Sequence, residues 1–134
     1  MKTGFVNGTF DCLTPAHIRL LKKAKYNVDW LIVAIDSDRR VKEKKGDTRP
    51  FFNQYERLEM LESIRGVFKV YIFDSDDELK KLIKNINPDI MMVGSDWKDK
   101  EVIGSEYAKK LEFFDRDEKY STTKILNYYK DINK

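Results

Sequence analysis

Between residues 7 and 17 the chain reads Asn7, Gly8-Thr9-Phe10-Asp11, Cys12-Leu13 and Thr14-Pro15-Ala16-His17. Gly8 lets a backbone approach an anion closely, and the free N–H groups and positive dipole at a helix start attract phosphate. Thr14 and His17 stand three apart, so on the first turn of a helix they share a face and can direct a hydroxyl and an imidazole at one phosphate oxygen. The chemistry that fits is phosphate binding at a strand–turn–helix junction. A histidine that only caps or covers a helix start has the same spacing, so spacing alone leaves both readings open.

A second segment, 36–53, carries Arg39, Arg40, Lys42, Lys44, Lys45 and Arg49, with Gly46 as a flexible point. It lacks apolar periodicity and is expected to be a long loop, a length that in compact domains is usually functional or disordered. A charge run is commonly a solvated face. This one follows the C-terminal end of a strand, the place where open α/β sheets bind ligands.

The elements that must position these residues are visible in the apolar pattern. Short runs rich in Val, Ile and Phe predict strands over 3–6, 30–35, 69–73, 90–93 and 112–114. Amphipathic stretches between them predict helices over 17–25, 55–64 and 76–85, the last stopped by Pro88, with a final helix after Ser121. Strands alternating with helices imply an α/β domain with a parallel sheet.

Composition bounds the rest. The 134 residues suit one domain over 1–134, and 41% hydrophobic residues supply a core. A net charge of +3 is too small for a dedicated nucleic-acid or membrane-surface protein. The absence of a long apolar run implies neither a membrane span nor a signal peptide, hence a cytoplasmic protein. Cys12 is the lone cysteine, which excludes an internal disulfide, and with a single histidine excludes a structural zinc site. A small buried hydrophobe is the reading for Cys12.

Gly8-Thr9-Phe10-Asp11 followed by Thr14-Pro15-Ala16-His17 resembles the signature of the nucleotidyltransferase superfamily, and the stretch from Arg116 through Ser121, Thr122 and Thr123 to Ile125 resembles a segment of glycerol-3-phosphate cytidylyltransferases. Glu56-Arg57 through Ile64-Arg65 and Val93-Gly94-Ser95-Asp96-Trp97 extend the likeness over nearly the whole chain. Lys45-Gly46, Arg49-Pro50, Asn87-Pro88-Asp89 and Val102-Ile103-Gly104 look more like the heptose-1-phosphate adenylyltransferase branch. Thr14 stands where cytidylyltransferases carry a first histidine, Ala16 replaces the motif glycine, and Ser95 replaces an aspartate.

The resemblance implies a Rossmann-like three-layer α/β sandwich with a five-stranded parallel sheet in order 3-2-1-4-5. It implies transfer of a nucleoside monophosphate, CMP favoured, from CTP or ATP to a phosphorylated polyol or sugar such as glycerol 3-phosphate. Alternatives are an adenylyltransferase acting on a sugar 1-phosphate and a catalytically idle nucleotide-binding protein. The catalytic set implied is His17, Thr14, Lys44 and Arg116. Gly8, Thr9, Phe10, Asp11, Lys45, Gly94, Asp96, Ser121 and Thr122 would bind the nucleotide. Asp38, Arg57 and Arg65 would serve the acceptor; Arg57 and Arg65, eight apart on the second helix, either reach its phosphate or pair with carboxylates. Mg²⁺ would arrive with the triphosphate, no protein metal cage is expected, and the resemblance suggests a homodimer.

Overall fold

The computed structural model describes residues 1–115 and 122–133, with the side chain of Thr122 left aside. Five strands, β1 (Thr3–Gly8), β2 (Trp30–Asp36), β3 (Val67–Phe73), β4 (Ile90–Gly94) and β5 (Lys110–Phe114), form one sheet in the order β3-β2-β1-β4-β5. Every pairing is parallel. The expected order 3-2-1-4-5 is therefore the observed one. Consecutive strands diverge on either side of β1, which opens a crevice beyond the C-terminal ends of β1 and β4.

Alternate residues of each strand face two separate layers, as the two-residue period of a strand requires. Val6, Val33, Ile35 and Val70 pack with Leu21 and Ala24 of α1 (Pro15–Tyr26) and Leu61 of α3 (Gln54–Glu62). Phe5, Ala34, Phe73 and Met91 pack with Leu79 and Ile83 of α4 (Asp76–Ile86). Burial on both faces explains why the strands read as continuous apolar runs. Among the described residues no helix is long and apolar enough to cross a membrane.

The 36–53 segment corrects the expectation of a loop, since Asp38–Lys45 is a helix, α2. Its periodicity is silent because Val41 is the one residue it buries. Local polar terms hold it instead. The Ser37 hydroxyl accepts from the Arg40 N–H, and Arg39 pairs with Glu43 one turn on. Cations Lys42, Lys44 and Lys45 occupy the last turn, where the helix dipole favours them. A final helix, α5 (Thr122–Ile132), follows β5.

Candidate active site

The turn after β1 is strained and tightly held. Phe10 and Cys12 adopt φ of 53° and 52°, left-handed values unusual for residues with a side chain. Between them the buried Asp11 carboxylate accepts the backbone N–H groups of Phe51 (2.7 Å) and Phe52 (3.0 Å). These charge-assisted bonds tie the turn to the chain that leads into α3. Burial, and then the neighbouring Asp11 carboxylate, push the Cys12 thiol pKa up, which leaves it a poor nucleophile at neutral pH. Gly8 lies close under Phe10: a Cβ on it would stand 3.0 Å from the ring, which would have to shift to admit it.

His17 sits at the third position of α1 in a reciprocal cap. The Thr14 N–H donates to His17 Nδ1 at 2.9 Å, and the Thr14 hydroxyl accepts from the His17 N–H at 3.4 Å. Because Nδ1 accepts, the neutral ring carries its proton on Nε2, the tautomer able to donate to a phosphate oxygen. His17 lines the large cavity at the strand ends, whereas Thr14 is 3% exposed and does not. The geometry makes Thr14 the residue that orients His17.

Asp36, at the end of β2, is a hub that the sequence reading did not single out. Its Oδ1 accepts from Arg40 Nε (2.9 Å) and lies 3.3 Å from Lys44 Nζ, and its Oδ2 is 3.4 Å from the Thr9 hydroxyl. Arg40 also pairs with Asp76 at the start of α4 and lies over the Phe73 ring. Burial opposes the Arg40 charge, but Asp36 and Asp76 outweigh it and hold its pKa above the ordinary value. The one readable signal for Asp36 was an acid at the C-terminal end of a parallel strand.

Arg57 is wholly buried. It donates Nε to the Phe52 carbonyl, Nη1 to the Thr9 and Asp36 carbonyls, and Nη2 to Asp38 Oδ1, all at 2.8–3.0 Å. Of the two roles open to it in the sequence, pairing with a carboxylate is the one it takes, and Asp38 is its partner. Neither residue lines the cavity. The placement of Arg65 on the second helix is corrected: α3 ends at Glu62, capped at Ser63, and Gly66 turns the chain at φ 97°. Arg65 is exposed just before β3, at the end of the strands opposite the crevice.

The cavity is a cleft half open to solvent, with a volume of about 1280 Å³. Gly8, Thr9, Phe10, Asp11, His17, Lys44, Lys45 and Gly94 all line it. Asp96 lies in the exposed 3₁₀ turn after β4, of which Trp97 reaches the cavity wall. Arg116 and Ser121 lie outside the described residues, and Thr122 begins α5, whose next residues Thr123 and Lys124 line the cavity. Arg19, Lys23, Arg40, Lys44, Lys45, Arg49 and Lys124 face it against the acids Asp11, Asp36, Asp76 and Asp115. The excess of cations suits a crowd of phosphoryl oxygens. Among the described residues no three His, Cys, Asp or Glu side chains converge to hold a metal ion.

A parallel sheet with a strand–turn–helix junction at its switch point, beneath a cleft lined by cations, defines a Rossmann-like α/β protein. Residues 5–127 match the family described as cytidylyltransferase-like, and the chain belongs to that family of nucleotidyltransferases. It is 43% identical over 130 residues to the bifunctional protein HldE of Campylobacter jejuni subsp. doylei, covering 97% of this chain and 28% of that protein. It is 42% identical over 129 residues to the bifunctional protein HldE of Helicobacter pylori, covering 96% and 28%. The chain thus spans little more than a quarter of the length of these relatives. In fold it resembles a lipopolysaccharide core biosynthesis protein from Thermoplasma volcanium, with a TM-score of 0.70 at 22% identity, over 90% of this chain and 99% of that one.

Proposed function

We propose that this domain transfers an adenylyl group from ATP to the phosphate of a phosphorylated sugar, a sugar 1-phosphate of the heptose type, and releases pyrophosphate. The observation that carries this reading is where the adenylyltransferase-like residues fall. Lys45, Arg49, Val102 and Ile103 line the cavity, so the residues that separate the two branches are in position to touch substrate. Asn87-Pro88-Asp89 lies at the N-terminal end of β4, where it serves the sheet: the Asp89 carboxylate accepts the Thr3 N–H at 2.8 Å. The similarity to HldE proteins points the same way, and CMP transfer to a polyol such as glycerol 3-phosphate becomes the second reading.

The acceptor phosphate is already an anionic nucleophile, so no covalent enzyme intermediate is required. The residues' work is to bring it in line with the α-phosphorus and to neutralise charge. His17 Nε2–H would donate to the triphosphate, backbone groups of the Gly8–Asp11 turn would hold the α-phosphate, and Lys44 with Lys45 would cover the phosphates from the end of α2. By the family resemblance, Arg116 with Ser121 and Thr122 would also bind the phosphates. Mg²⁺, bound through the phosphates and water, would supply further charge neutralisation, a mode that needs few protein ligands. The assembly proposed is a homodimer, to be read by sedimentation.

The test is pyrophosphate release from each of the four nucleoside triphosphates, paired with aldose 1-phosphates and with glycerol 3-phosphate. Turnover is expected with ATP and an aldose 1-phosphate. Faster turnover with CTP and glycerol 3-phosphate would return the cytidylyl reading, and tight nucleotide binding with no turnover on any pair would identify an idle nucleotide-binding protein.

A further inference from the structure

Among the described cations of the site, Arg49 is placed unlike the others. Its side chain is 10% exposed, yet Nε and Nη2 have no hydrogen-bond partner among the described residues. The nearest acid, Asp11, stands 3.5 Å from Nε, and both its oxygens already accept backbone N–H groups at 2.7 and 3.0 Å. Nη1 reaches the Thr123 hydroxyl at a marginal 3.5 Å. A guanidinium carries five donors, so burying two of its nitrogens with no hydrogen bond is costly unless something supplies acceptors. Arg49 lines the cavity, between the β1 turn and the first turn of α5.

We infer that Arg49 is a substrate-binding residue, whose unpartnered Nε–Nη2 edge takes a phosphoryl group as a two-pronged ligand. The fork of two parallel N–H donors matches two oxygens of one phosphate, which a lysine cannot reproduce. Asp11, 3.5 Å from Nε, pairs with the charge but leaves both donors unbonded; a water or a sugar hydroxyl could fill one of them, whereas a phosphoryl group offers an oxygen to each. The inference rests on the nucleotidyltransferase reading, which places phosphates in this cleft. Two sources offer the same chemistry: the polyphosphate of the nucleotide and the phosphate of the acceptor.

Calorimetric titration of wild type, R49Q and R49K with Mg·ATP, inorganic pyrophosphate and inorganic phosphate decides the point, with folding followed by circular dichroism. Folded R49Q is expected to bind at least about tenfold more weakly, the scale of a lost charge-assisted bond. R49K is expected to recover only part of the loss, because it keeps charge without the fork. A loss seen with ATP and pyrophosphate assigns the nucleotide's polyphosphate; a loss confined to inorganic phosphate assigns the acceptor. Should R49Q unfold, R49K, which keeps a cation at that depth, carries the decision. Wild-type affinity for every probe in the folded variants overturns the inference while leaving the enzyme reading intact. A wild type that binds none of the three probes overturns both.

Discussion

Two buried arginines eight residues apart, Arg49 and Arg57, stand on either side of the same chain segment and do opposite work. Arg57 places four donated bonds on three backbone carbonyls and Asp38, and so locks the β1 turn, the end of β2 and the lead into α3 to one another. Arg49 lies in the cavity wall, with two of its nitrogens unbonded among the described residues. A buried guanidinium with its donors bonded is architecture, and one with donors left unbonded at a cavity wall is a demand for acceptors. Side-chain burial, nearly equal for the two, does not separate them; the hydrogen-bond inventory does.

The sharpest way to break this contrast is Arg57→Met. Removing one partner of a buried ion pair costs about 3–5 kcal/mol, and here three carbonyls also lose their donor. Urea denaturation should show a loss of that size. A midpoint within error of wild type would show that the Arg57 bonds contribute no stability and would remove the framework half of the comparison.

His17→Ala is expected to act on the other half, lowering kcat by about 10²–10³, as when one donor to transition-state charge is lost. Thermal unfolding should shift far less than for the Arg57 variant, since the backbone N–H of residue 17 still donates to the Thr14 hydroxyl. Unchanged kcat in the folded variant would remove His17 from the mechanism.

Lys44→Ala should raise KM for the triphosphate and lower kcat together, each by up to about tenfold, because its ammonium is half exposed and screened. Asp36 keeps Arg40 as a partner, so the fold should persist. Steady-state kinetics at two salt concentrations checks this, and a loss that does not diminish at high salt would argue against a screened charge.

The smallest effect belongs to Asp74, an exposed carboxylate. The Ser37 hydroxyl and then the Arg39 guanidinium hold its pKa below the ordinary value. A depressed folded value means the contribution is present above the unfolded value, near pH 4, and is lost as the pH falls through the folded one. Stability of Asp74→Asn should therefore fall less steeply than wild type below about pH 4, with kinetics unchanged. Parallel acid limbs for the two proteins would dismiss the cap as a source of pH-dependent stability.

Much of the architecture follows from local pattern. Strands buried on both faces need unbroken apolar runs, and α1, α3 and α4 bury one stripe each, so all show in the chain as written. The short helix α2 does not, because a helix that buries Val41 alone has no stripe and is held by caps and charge pairs that resemble a solvated run. At the site, the strand–turn–helix junction that carries Gly8 and His17 was legible because it is local: its parts lie within eleven residues, 7–17, and need no distant contact to be recognised. The roles of Asp36, Arg49, Arg57, Asp38 and Arg65 were not. Whether an arginine binds substrate, clamps the backbone or faces water depends on which acceptors lie within about 3 Å of its fork. Those acceptors come from residues up to 48 positions away, as Thr9 does for Arg57. Residue types and spacing determined the class of fold and the strand–turn–helix junction at its switch point; only the packing of the chain against itself decided which of its buried donors were bonded and which were left at the cleft.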